Sequence, residues 1–113
     1  MSKLEEKVAL YKKFMEDRNL HSNTDLLRAV TKGLGPSIYK KDAETVSSSD
    51  VNELLTVKNN FLIKKLGLAD TEDLDIGINE VIKCIGVTER KKYRAVVYYL
   101  LVVRYNKALI YDL

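Results

Sequence analysis

Leu4, Val8, Tyr11 and Met15 recur at three- and four-residue steps between charged positions, so the chain opens with the apolar stripe of an amphipathic helix. Ser2 and Glu5 stand where a capping box satisfies free amides of a first turn, and the pattern predicts a helix from there to about Arg18. A polar stretch, Asn19 to Thr24, separates it from Leu26, Leu27 and Val30, one face of a short second helix capped by Asn23 or Thr24 and stopped at Gly33. The SSSD stretch at 47–50, with Asp50 and Glu53 in capping positions, starts a third helix carrying Val51, Leu54, Leu55, Phe61, Leu62 and Leu66. Gly67 ends it by taking a left-handed conformation, and Leu68 is placed to fold back on Ile63. Carboxylates from Asp70 to Asp75 open a fourth helix with Leu74, Ile78, Val81, Ile82 and Ile85 inward, closed by Gly86 with Val87.

The last periodic segment, Glu89 to Tyr105 behind a Thr88 cap, contains AVVYYLLVV and has no polar face at its centre. Its length favours a helix, whereas its valines and tyrosines favour a strand, and a strand stays the alternative. Read as a helix, Ala95–Val103 is expected to be buried on all sides, with Arg94 and Arg104 marking where it meets solvent. Tyr98 and Tyr99 then point about 100° apart and both hydroxyls need partners, for one of which a homodimer interface is a source. The expected fold is all-α, a compact bundle of four to five helices in a single domain, 1–113, with the C-terminal apolar helix central.

Composition narrows the functional classes. Hydrophobic residues make up 46% and charged residues 31%, a globular balance, and a formal net charge of +3 falls short of the asymmetry of an obligate polyanion binder. The single cysteine, Cys84, has no partner for an internal disulfide, and MSKLEEKVALYKKF has charges where a signal peptide needs apolar residues. Both point to a cytoplasmic protein. The longest apolar run falls short of the about 20 residues a membrane-spanning helix needs, so no membrane partner is expected.

Catalytic chemistry has few carriers here. His21 lies among Ser22, Asn23 and Thr24 and reads as a solvated or capping side chain, and Cys84, in a last helical turn, reads as a packing residue. DTEDLDIGINE at 70–80 fails the calcium-loop register from either Asp70 or Asp73, and no cluster of ligands suggests zinc or iron. No catalytic, cofactor-binding or metal residue is therefore assigned, no cofactor is expected, and the reading is of a protein that is not an enzyme.

GLGPSIY at 33–39 has one feature with binding chemistry. A hydrophobic-Gly-hydrophobic-Gly-Pro turn resembles the hairpin of helix-hairpin-helix DNA-binding modules, whose amides and nearby lysines hold a phosphate. Gly33, Gly35, Lys40 and Lys41 are the candidate anion contacts, although Tyr39 and Asp42 depart from that family's small and apolar residues. On the competing reading Gly33 ends a helix, Gly35 turns the chain and Pro36 starts a short helical turn where its missing amide is harmless. Lys12-Lys13, Lys64-Lys65 and the ERKKYR run from Glu89 to Arg94 are further basic sites, read as solvated faces whose common side the sequence leaves open.

GLGPSIY, DAETV (42–46), ELLTVKNNFLIKKLGL (53–68) and KYRAVVYYLL (92–101) together resemble a family of small bacterial proteins known only as a domain of unknown function. The resemblance implies a bacterial, cytoplasmic and mainly helical protein, and carries over no activity or site residue. The functional expectation is a non-enzymatic structural or protein-interaction domain, its partner another protein or a second copy. The alternative is low-specificity nucleic-acid binding through the turn at 33–41.

Overall fold

The computed structural model describes residues 2–113. Its first helix, α1 (Lys3–Glu16), starts where the Ser2 Oγ accepts the Glu5 amide at 3.2 Å. The reciprocal half of the expected capping box does not form. Glu5 instead accepts the Arg28 guanidinium through both oxygens, at 2.6 and 3.0 Å, a charge-assisted pairing that outcompetes a backbone amide. Helix α2 (Thr24–Gly33) is capped by Asn23, whose Oδ1 accepts the Leu26 amide at 3.1 Å, and buries Leu26, Leu27 and Val30 as the pattern requires.

A 3-10 turn, Gly35–Tyr39, follows with Pro36 in its first turn, and then a four-residue helix, α3 (Lys41–Glu44), that hydrophobic periodicity did not signal. The expected third helix is present from its Asp50 cap, but it changes form along its length: α4 (Val51–Thr56) runs directly into a π-helical segment, Val57–Lys65. This changes which residues face inward. A π-helix closes its hydrogen bonds over five residues and not four, so Val57, Phe61, Leu62 and Leu66 line the core, while Val51 and Leu55, counted on a 3.6-residue period, are exposed. Gly67 does stop the helix at φ +73°, its amide donating to the Ile63 carbonyl at 3.0 Å and that of Leu68 to Leu62 at 3.1 Å.

Helix α5 (Glu72–Ile85) follows the sequence closely, with Glu72, Asp73 and Asp75 in its first turn and Gly86 at φ +121° behind its last. One expectation at its end fails: Cys84 is exposed and not a packing residue. At about 100° per residue Cys84 falls outside the arc holding Leu74, Ile78, Val81, Ile82 and Ile85. Gly77 lies on the buried side of α5 because a Cβ there would sit 2.1 Å from the Tyr105 hydroxyl, which donates to the Asp73 carbonyl at 3.0 Å.

The apolar C-terminal segment is helix α6 (Arg94–Arg104), which packs against α1, α2, α3 and α5 and is the centre of the bundle. Six α-helices and no strand occur among the described residues, so the all-α expectation holds and the strand alternative is dismissed. The helix begins five residues later than the sequence suggested, and Thr88 does not cap it. Tyr93 is held extended by an antiparallel bridge to Thr45, which keeps the chain out of the helical region up to that point. Burial around α6 is also less than complete, since Val103 is 53% exposed, and Arg94 does not mark a solvent boundary but is buried. Both tyrosine hydroxyls find partners within the chain: Tyr99 accepts the Asn23 amide at 2.7 Å and Tyr98 the Arg94 guanidinium at 3.2 Å. A 3-10 turn, Ala108–Tyr111, ends the chain against α2.

Candidate functional site

Two concavities flank α6, and they differ in what their polar groups are already doing. The larger, about 430 Å³, lies between segment 42–53 and the loop 87–92. Ser47, Ser48 and Ser49 line one side, and Thr88, Arg90 and Lys92 the other. Lys92 is buried, and its ammonium donates to the carbonyls of Val87, at 2.8 Å, and Glu89. Its own carbonyl accepts the Val46 amide at 2.8 Å. Next to it Arg94 donates to the Ala43 carbonyl at 2.8 Å, to the Tyr98 hydroxyl, and to Glu53 in an ion pair. Burial works against the arginine's charge, but the hydrogen bonds to Tyr98 and Glu53 outweigh it and its pKa stands above the usual value. These cations act as fasteners: they tie the segment around α3 and the loop before α6 to the helix.

The smaller concavity, about 230 Å³, opens where α2, the π-helical segment, α6 and the C-terminal 3-10 turn meet. Phe61 from the π-helical segment stacks on Tyr98 from α6, ring centroids 3.9 Å apart and 17° from parallel. Tyr111 reaches back from the C-terminal turn to contact Gly33, where an added Cβ would lie 3.5 Å from its ring. The Lys65 ammonium sits 5.4 Å from the centre of the same ring. Burial foremost, and then the neighbouring Tyr98, push the Tyr111 pKa up to about 12, so the phenol is neutral at physiological pH.

Of the candidate anion contacts, the structure draws only Gly33 into a pocket. Gly35 turns the chain at φ +64° with open space around it, and Lys40 and Lys41 are exposed at the start of α3. Pro36 occupies the first turn of the 3-10 helix, and the Ser37 hydroxyl donates to the Leu34 carbonyl at 2.9 Å. The other basic residues serve different ends. Lys12 donates to the Thr24 hydroxyl at 2.7 Å, Lys13 lies 3.7 Å from Asp17, and Lys92 is buried. His21 is exposed in the loop before α2.

Sequence reasoning missed Arg94, Lys92 and Tyr111. Arg94 did leave a signal, a four-residue step to Tyr98 on one helix face. Lys92 and Tyr111 left none, because their partners are backbone carbonyls and a glycine surface that exist only after folding.

Residues 10–109 match the model of a protein family described as "Protein of unknown function (DUF2853)". No curated protein matches the chain.

Proposed function

We propose, for a chain that belongs to the DUF2853 family, the role of a non-enzymatic interaction domain of the bacterial cytoplasm, one domain over 1–113, whose binding face is the C-terminal end of α6 and the turn beyond it. The observation that carries this reading is a run of apolar side chains with nothing over them: Leu109 is 82% exposed, and Val103, Ile110 and Leu113 are exposed with it. Exposed apolar residues scattered singly need no explanation, but four within eleven positions of the chain fit a docking patch for another protein. No helix among the described residues is long and apolar enough to cross a membrane.

Affinity capture from the native cytoplasm, with the wild type and a Leu109→Asp, Ile110→Asp double variant, tests the reading. A partner retained by the wild type and lost by the folded variant supports it, and light scattering shows whether that partner is a second copy. Equal capture by both proteins, or none by the wild type, sinks it.

A second reading rests on Lys40 and Lys41, exposed beside Gly35 and without an ion pair among the described residues. The turn at 33–41 would then hold nucleic-acid phosphates without reading sequence. Asp42 stands next to these lysines in the chain and weakens the local field, which ranks this reading second. It requires DNA binding that weakens steeply with salt and a shallower slope for a Lys40→Ala, Lys41→Ala variant. No shift of duplex or single-stranded DNA at low salt removes it.

A further inference from the structure

Several polar groups around the 230 Å³ concavity are not used up by the fold. Among the described residues the Tyr111 hydroxyl and the Asn60 amide make no hydrogen bond, Lys65 has no carboxylate partner, and the Tyr98 hydroxyl accepts from Arg94 while donating to nothing. Each of these four can donate. None of the lining side chains is acidic, whereas the larger cleft is lined by Asp42, Asp50, Glu53 and Glu89.

The walls define the rest of the ligand. The stacked Phe61 and Tyr98 rings form an aromatic side, and Val30 and Leu34 an aliphatic one. The volume lies below the roughly 300–1,000 Å³ typical of pockets for drug-sized ligands, so a single ring is what fits. Asn60, Phe61 and Lys65 all come from the π-helical segment, a form often found at functional sites.

We propose that this pocket binds a small carboxylate with an apolar body of about one ring, the body against Val30, Leu34, Phe61 and Tyr98 and the carboxylate received by Lys65, Asn60 and the Tyr111 hydroxyl. An acid satisfies several donors at once and supplies the missing counter-charge of Lys65, which a neutral ring does not. The site borders the turn at 33–41 through Gly33 and Leu34 and the C-terminal turn through Tyr111, but uses neither Lys40 and Lys41 nor the exposed Leu109 and Ile110.

Benzoate is the probe, followed by amide chemical shifts in two-dimensional NMR, with benzamide as its neutral counterpart of the same shape. Benzoate is expected to shift the amides of Gly33, Asn60 and Lys65 saturably, with half-saturation on the order of a millimolar for so small a molecule. Benzamide should bind about tenfold more weakly, and Lys65→Ala should remove that difference. A folded Leu34→Trp variant, which fills the pocket, should bind neither. Equal affinity for the two probes, shifts scattered over the surface, or no saturation by about ten times the expected concentration overturns the proposal.

Discussion

The two ends of α6 are built from similar residue types and put to opposite use. At the N-terminal end Lys92, Arg94 and Glu53 are turned inward, and the cations are bonded to carbonyls of two separate stretches of chain and to the Glu53 carboxylate. At the C-terminal end Lys65, Asn60 and the Tyr111 hydroxyl keep free valences, and Val103, Leu109 and Ile110 face solvent. Buried charge is costly unless its hydrogen bonds are met, so Lys92, Arg94 and Glu53 have little left to offer a ligand without loosening that end. The second end can take a ligand or partner with no such loss. Polar character alone therefore does not locate a binding site; unspent hydrogen-bonding capacity does.

The most disruptive test removes the axis both ends share. Val97 is fully buried at the middle of α6, and Val97→Lys would place an unpaired ammonium there, at a cost above about 5 kcal/mol, comparable with the whole stability of a small domain. Circular dichroism should show no cooperative melt. A folded monomer would mean that this face of α6 is an interface and not the core.

Glu53→Ala comes next and addresses the N-terminal end alone. It leaves the Arg94 guanidinium without its carboxylate and should cost about 3 kcal/mol in denaturant unfolding. A loss below about 1 kcal/mol would make that end a solvated surface, and the contrast between the ends would fail.

Tyr111→Ala acts on the other end, where the ring covers Gly33 and is only partly buried, and should cost about 1–2 kcal/mol. The expected signature is local: amide exchange speeds up at Lys107, which donates to the Val102 carbonyl at 3.0 Å, and not at Val46. Equal acceleration at both sites would show that the ends are coupled.

Acid should give the smallest effect. The Lys91 amide and then the Arg18 guanidinium hold the Glu89 carboxyl below its ordinary value of 4.5. A carboxyl depressed in the folded state contributes stability above pH 4.5 that is lost as pH falls through the lower folded value. Exchange at Val46 should therefore quicken below that pH before exchange at Lys107 does, and Arg18→Ala should blunt the difference.

Most of the helices could be read from residue order because their causes are local. The Asn23 and Asp50 caps, the Gly67 and Gly86 stops and the stripe of α5 depend on neighbours within a turn or two, and the chain carries those wherever it folds. The late start of α6 was not legible, because Thr45, whose bridge holds Tyr93 extended, lies 48 positions away. Nor was the π-helical segment, in which core packing selects a wider turn than a 3.6-residue period assumes. The candidate site divides in the same way. Gly33 was singled out from its turn, but for a different contact, and the pocket it borders depends on Tyr111 returning from the far end of the chain. By itself the sequence determined the amphipathic helices, which follow from periodicity, and the burial of the apolar final segment, whose helical form its length only favoured. Which charges are spent on the fold and which remain free was decided only by tertiary structure, because a hydrogen bond between distant segments has no period to announce it.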